Sequence, residues 1–317
     1  MELPDRVVVV EMSPRDGVSG DGVGGEGVGG EGTGQAPRLS ATDTLMLVDR
    51  LTRAGLGVVA LPALLPAGQW PHRPDAEEVL GAITWSSDTR HPVLVAGTAG
   101  LDRALAAGVR DLAVTAAASE AFSERHLGAT IDGVLARLAP LVRRARRDGV
   151  RVRGEVAVAC GCPYQGEVPA AAVAWVTTAL FELGCDEVVL DDTVGVGTAL
   201  QVQDLVAGLA PTVLVDRLTV RPRDLFGQGL ANALAALDAG VRSIATGAGG
   251  LGGNAPAPST PGDLATEDLL YALEGSGVHT GVDLEEVVAV TGWLAERLGG
   301  PPPSRLARAV LGRTRRP

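Results

Sequence analysis

"PAAAVAWVTTALFELGCDEVVLDD" (residues 169–192) sets a helical stretch directly against a strand. Pro169 stands near the first helical turn, where its missing N–H costs little, and the amphipathic run closes on Gly184. "EVVLDD" (187–192) then reads as a short strand. Its apolar residues are continuous, not alternating, so both faces are buried, as in a parallel sheet covered by helices. Two carboxylates, Asp191 and Asp192, end it.

The same unit repeats on either side. Strands are expected at "VVVVEM" (7–12), "GVVALP" (57–62), "PVLVAG" (92–97), "DLAVTA" (111–116), "RGEVAVAC" (153–160), "RLTVRP" (217–222) and "SIATGA" (243–248). With 187–192 that makes eight. Helical stretches lie between them, such as "TLMLVDRLTRAGLG", "TIDGVLARLAPLVRRARRDG" with Asp148-Gly149 at its exit, and "GLANALAALDAG" closing on Gly240. Eight β/α units in order predict an α/β fold, a (β/α)8 TIM barrel in one domain spanning 1–317. The barrel is expected over about residues 5–262, with a C-terminal helical extension over 263–317.

Composition bounds the function. The 317 residues are 46% hydrophobic and 3% aromatic, an ample Val/Leu/Ala core, and carry a formal charge of −11. That balance argues against nucleic acid and anionic membranes as partners; the basic tail "RLARAVLGRTRRP" (305–317) reads as a short helix with a frayed end. Every one of the 27 basic residues is arginine, which excludes imine-forming and pyridoxal-lysine mechanisms. The alanine-, glycine- and arginine-heavy usage fits a GC-rich, bacterial genome. The first residues lack a signal peptide, and no run of apolar residues is long enough to span a membrane, so a cytoplasmic protein is expected. Cys160, Cys162 and Cys185 are expected as reduced, buried thiols, and the four histidines stand at no ligand spacing. Residues 17–38 hold a glycine-rich loop whose three pentads, GDGVG-GEGVG-GEGTG, follow strand 1. It reads either as a mobile active-site lid or as a tolerated repeat expansion.

Barrel chemistry sits at the C-terminal ends of the strands. There the chain offers Arg15-Asp16, Asp191-Asp192, Arg221 with Arg223 and Asp224, and "GAGGLGGNAPAP" (247–258) with Gly252, Gly253 and Asn254. Arginines and carboxylates in this pattern suit a small carboxylate or phosphate ligand held by planar guanidinium forks, or equally an internal salt-bridge network.

At these positions the sequence resembles the hydroxymethylglutaryl-CoA lyase family of metal-dependent lyase and Claisen-condensing barrels. "VVVVEMSPRDGV", "GCPYQGEV" (161–168), "LDDTVGVGT" (190–198), "FGQGLANALAAL" (226–237), "GAGGLGG" (247–253) and "LATEDLLYALEGSGVHTGV" (264–282) follow the family's blocks in order. The resemblance implies a homodimer. It also implies a divalent cation held by the aspartate of P-R-D-G, an H-x-H pair and an asparagine, with an arginine stabilising enolate charge and a loop cysteine as acid/base. Arg15, Asp16 and Asp192 match that pattern. The H-x-H position reads Arg221-Pro222-Arg223, the cysteine position Asn254, the asparagine position Asp263, and a strand-2 acid position Val59.

A guanidinium cannot ligate a cation. The expectation is therefore an enzyme of lyase-like, carbon–carbon bond chemistry that is metal-independent and has no cofactor. Arg221 and Arg223 would stand in the cation's place, bridged by Asp16, Asp263 or a substrate carboxylate. The catalytic set would be Arg15, Asp16, Asp192, Arg221, Arg223 and Asn254. A small anionic substrate, a carboxylate or acyl-thioester, would lie against Arg15, Arg221, Arg223, Gly252 and Gly253. Two alternatives stay open: a non-catalytic ligand-binding protein, and a lyase retaining Mg2+ or Mn2+ through Asp16, Asp192 and Asp263.

Overall fold

The computed structural model describes residues 2–16, 39–67, 73–252 and 262–314. The 17–38 loop, Gly253 and Asn254 lie outside the described residues. Within them the chain forms nine strands: β1 (Val8–Glu11), β2 (Val58–Val59), β3 (Leu61–Leu64), β4 (Val93–Val95), β5 (Asp111–Ala117), β6 (Arg151–Ala157), β7 (Glu187–Asp191), β8 (Leu218–Arg221) and β9 (Ser243–Thr246). All pair in parallel in the order β2-β1-β9-β8-β7-β6-β5-β4-β3.

The ring closes because β2 and β3 are halves of one run. β2 pairs with β1 and β3 with β4. The run expected as a single strand over 57–62 bonds to both neighbours in turn: Val59 donates to the Arg90 carbonyl on the β4 side, and Ala60 to the Glu11 carbonyl of β1. Leu61 then donates to Pro92, and Pro62, which has no N–H, follows. Counted as staves, the nine segments make the eight of a TIM barrel.

Period-two alternation separates the two faces of each strand. Val9, Val59, Val93, Leu112, Val114, Val152, Val156, Val188, Leu190 and Val220 join the large core shared with the helices. The facing is close at Gly154, where a Cβ would stand 2.9 Å from Leu180 of the covering helix. On the opposite face, Val10, Met12, Val58, Ala60 and Ala245 form one small apolar cluster, and Ala63, Leu65, Leu94 and Ala113 another. The alternation puts Arg153, Glu155, Asp191 and Arg221 on this inner face too, all buried.

The covering helices are Ala41–Arg53, Ala76–Ala82, Thr98–Ala106, Ile131–Arg147, Ala170–Leu183, Ala199–Leu209, Gly229–Asp238 and Thr266–Gly275. The last corrects the expected boundary. Thr266–Gly275 is the eighth barrel helix and not part of an extension. It follows a parallel bridge of Gly247 to Ala265 and returns the chain to the foot of β1, where His279 bridges Arg6. Two further helices, Leu284–Leu298 and Arg305–Thr314, complete the described chain. None of the described helices is long and apolar enough to cross a membrane.

Candidate active site at the C-terminal face

Arg15 and Asp16 sit on a single helical turn, Ser13–Asp16, entered directly from β1. Glu11 fixes that turn. Its buried carboxylate accepts from the Ser13 N–H (2.9 Å) and hydroxyl (2.5 Å), from the Ala248 N–H (3.0 Å) and from the Thr266 hydroxyl (2.7 Å). One outward-facing side chain thus ties together the ends of β1 and β9 and the eighth helix. Burial raises the Glu11 pKa, and the hydrogen bonds from Ser13 and Thr266 oppose that rise.

Arg221 ends β8 in register with Asp191 of β7. Its guanidinium forms a fork on Asp263, Nε to Oδ1 at 2.9 Å and Nη2 to Oδ2 at 2.7 Å, and Nη2 also donates to Asp16 Oδ2. Arg221 thus spans Asp16 and Asp263. Arg15 closes the far side, with Nε on Asp16 Oδ1 at 2.8 Å and Nη1 on Glu155 Oε1 at 2.5 Å. Arg223 lies two residues beyond Arg221, on the same side, with Nε 3.4 Å from Asp191 and Nη1 3.2 Å from Asp263. Neither Nη1 nor Nη2 of Arg223 makes a hydrogen bond among the described residues, although both atoms are buried.

Asp263 reaches this cluster because its own segment pairs with the end of β8. Arg223 and Asp263 form an antiparallel bridge, Leu264 donates to the Pro222 carbonyl, and Asp224 donates to that of Gly262. Gly252 backs onto the same spot at a φ of +116°. A Cβ there would stand 3.1 Å from Asp263 Oδ2.

Three guanidiniums (Arg15, Arg221, Arg223) thus meet four carboxylates (Asp16, Glu155, Asp191, Asp263). Burial pushes the Asp16 carboxyl up, but Arg15, Arg221 and Arg223 outweigh it and hold it well below the usual carboxylate range. Burial weakens the Arg221 cation, while Asp16, Asp263 and Asp191 reverse that and lock it in. The donor set does not suit a divalent cation. Arg221 takes both oxygens of Asp263 and one of Asp16, Arg15 takes the other Asp16 oxygen, and a guanidinium has no lone pair to offer. Among the described residues no three His, Cys, Asp or Glu side chains converge as a metal site.

Asp192 is the sequence candidate that the structure places elsewhere. Its side chain accepts from the Val196 N–H (3.2 Å) and the Gly197 N–H (2.9 Å), turning the loop after β7 beside Cys160. Burial raises it to about 6, despite the Gly197 hydrogen bond. The alternation of β7 assigns Asp191 to the cluster instead, and the set Asp16, Asp192 and Asp263 is not assembled. The sequence reading also missed Glu155. Its signal was there: a carboxylate inside an apolar strand, on the same side as Arg153. Cys160, Cys162 and Cys185 are buried and unbridged, as expected.

A cavity of about 170 Å3 opens beside Arg15, Glu155 and Asp191. Its apolar wall includes Leu65, Leu94, Ala96, Phe122, Leu127 and Leu138, and Arg125, His126 and Arg137 also line it. An apolar pocket with a few convergent polar groups is the usual form of a small-molecule site.

A closed parallel barrel with charged groups and a cavity gathered at its C-terminal face defines a TIM-barrel protein with the layout of an enzyme. Comparison with known proteins gives the family. The HMGL-like family model matches residues 30–293, and the chain belongs to that family. It is 36% identical over 307 residues to the mitochondrial hydroxymethylglutaryl-CoA lyase of Bos taurus, covering 97% of this chain and 90% of the relative. It is likewise 36% identical to the 3-hydroxy-3-isohexenylglutaryl-CoA/hydroxy-methylglutaryl-CoA lyase of Pseudomonas aeruginosa, covering 99% of this chain and all of that one. The crystal structure of hydroxymethylglutaryl-CoA lyase from Pseudomonas aeruginosa superposes with a TM-score of 0.88 at 37% identity, covering 99% of this chain and 100% of that one.

Proposed function

We propose that this chain is a lyase-like enzyme acting on a small acyl-thioester or carboxylate, with guanidiniums in place of a divalent cation. The observation that carries this reading is the seating of Arg221 between Asp16 and Asp263, beside an Arg223 whose terminal nitrogens make no hydrogen bond among the described residues, Nη1 having only an ion pair with Asp263. Such preorganised donors stabilise an enolate or oxyanion without reorganising as charge develops. The named activities of the relatives support an acyl-CoA as the thioester, and the apolar wall of the adjoining cavity suits an acyl chain.

In this arrangement Arg15 lines the cavity and faces the bound carbonyl. Asp16 and Glu155 hold it in place. Arg221 keeps the two aspartates neutralised, and Arg223 adds positive charge behind the cavity beside Asp191 and Asp263. A second reading, a non-catalytic binding protein, draws on the pairing of Arg221 and Arg15, which leaves the cluster mostly satisfied without a ligand.

The test combines metal analysis with turnover. Protein purified without chelator is expected to hold no stoichiometric divalent metal and to cleave or enolise an acyl-CoA at a rate unchanged by EDTA. Loss of that rate in Arg221→Ala supports the enzyme reading. One bound Mg2+, Mn2+ or Zn2+ per chain sinks the arginine-for-metal reading, and an inert wild-type chain that still binds the thioester favours the second.

A further inference from the structure

Between β5 and the helix Ile131–Arg147 the chain takes an uncommon path. One short helical turn, Glu120–Phe122, widens into a π-turn at Ser123–Leu127 and ends on Gly128 at a φ of +73°. Pi-turns concentrate at functional sites because the extra residue re-aims a side chain. This one is pinned at several points. The Ser123 hydroxyl donates to the Ala129 carbonyl (2.8 Å), the Ile131 N–H donates to Glu120 (2.9 Å), and Arg137 donates to the Leu127 carbonyl (2.8 Å). Of its residues, Arg125, His126 and Leu127 line the cavity, and His126 is the one that can both give and take a proton near neutral pH.

His126 is built into an aromatic clamp. Its ring centroid lies 4.4 Å from that of Phe122 and 5.4 Å from that of Tyr164, with the Tyr164 plane tilted by only 25°. Tyr164 projects from a tight hairpin in which Cys162 and Gly166 exchange backbone hydrogen bonds. Ser119 ties that hairpin to the π-turn by donating to Gln165 at 2.8 Å. The Tyr164 hydroxyl lies 2.6 Å from His126 Nε2, while Nδ1 has no hydrogen-bond partner among the described residues. The Arg125 guanidinium sits 4.3 Å from the Tyr164 ring centroid.

Resting on the acyl-thioester reading above, we propose that His126 is the proton-transferring residue of this site, held in one orientation by Tyr164. With Nε2–H donated to the Tyr164 oxygen, Nδ1 carries a lone pair. Nδ1 takes the proton from the carbon next to the bound thioester carbonyl, and the C–H electron pair passes into the enolate. Its oxygen charge is met by the N–H groups of Arg15, which lines the same cavity. In the reverse direction the imidazolium returns the proton to that carbon. Burial, and then the neighbouring Arg125 charge, lower the imidazole below its ordinary range, which favours the neutral state a base needs. The charged and titratable groups around it are Arg125 on its own turn, Tyr164 from the hairpin and Arg137 from the next helix, with Arg15, Glu155 and Asp191 lining the same cavity.

The experiment follows deuterium uptake at the α-carbon of acetyl-CoA in D2O by mass spectrometry, with binding measured in parallel by calorimetry. His126→Gln is expected to slow exchange by about 100-fold or more with unchanged acetyl-CoA affinity. Tyr164→Phe is expected to slow it less and to displace the pH profile, because the imidazole loses its orienting oxygen. His126→Gln exchanging at the wild-type rate overturns the assignment, as does a His126→Gln protein that loses affinity and rate together. A wild-type protein that binds acetyl-CoA and exchanges nothing, or does not bind it, overturns the acyl-thioester enzyme reading itself.

Discussion

Two ion networks fill the inside of this barrel, one at each end, and they are built from the same residue types. At the N-terminal end Arg90 reaches Asp111 (2.7 Å) and Glu187 (2.8 Å), and Arg153 adds a fork on Glu187 at 2.6 Å and 2.5 Å. Arg151 adds a longer contact to Glu187 at 3.9 Å, so three guanidiniums face two carboxylates, and the Arg90 side chain is 33% exposed, so water reaches one edge. At the C-terminal end the members are almost wholly buried, carboxylates outnumber guanidiniums, and a cavity opens beside them. Residue type alone therefore does not separate a structural plug from a binding site. Position on the strand does: β-strand ends at the C-terminal face carry loops that can move and diverge, whereas the N-terminal face carries stability.

The sharpest way to break this comparison is to remove one arginine from each end. Arg221→Ala leaves Asp16 and Asp263 facing each other in a buried site. Urea unfolding should show a loss of about 3–5 kcal/mol, and calorimetry should show acyl-CoA binding abolished. Arg153→Ala leaves Glu187 with Arg90, so a smaller loss of about 1–3 kcal/mol is expected, with ligand affinity unchanged. If Arg153→Ala weakened binding as much as Arg221→Ala, the division between the ends would fail.

Acid tests the lower network next. Burial pushes Glu187 up, but Arg153 and Arg90 outweigh it and hold it at about 2, below its ordinary 4.5. A depressed carboxylate contributes stability that is complete above pH 4.5 and lost as pH falls from 4.5 towards 2. The stability gap between wild type and Arg153→Ala should therefore close across that window, measured by urea unfolding at successive pH values.

A second pH effect, of opposite sign, lies beside the upper network. Glu267 accepts from the Gly249 N–H (3.0 Å) and the Thr291 hydroxyl (3.0 Å), and burial raises it to about 7. A raised carboxylate gives stability that is complete below pH 4.5 and lost as pH rises from 4.5 to 7. Thermal unfolding of wild type should decline over that interval relative to Glu267→Gln. Parallel curves would remove Glu267 from any role in pH dependence.

Much of this was legible in the sequence. Eight apolar runs separated by amphipathic stretches specified the barrel, because a parallel strand covered on both faces has few other readings. Arg15, Asp16, Arg221 and Asp263 stood at strand ends or in the family's blocks and do converge. What escaped depended on side and path. Asp191 and Asp192 are adjacent, and only the true register of β7 tells which one points inward. The strand expected over 153–160 ends at Ala157, because Val158 takes a φ of +56° and turns the chain out of the sheet. His126 looked like one of four scattered histidines, since a π-turn arises from contacts made by Ser123 and Arg137 and leaves no periodicity of its own.

Arg221 also sets how the upper network is supplied. A positive centre carried on a side chain is installed by the ribosome, one per polypeptide, and needs no import, chaperone or loading step. It cannot be stripped by a scavenger, exchanged for a wrong ion or oxidised. The same permanence narrows its reach: with no vacant orbital, it can act on a neighbouring oxygen only through N–H groups fixed in a plane.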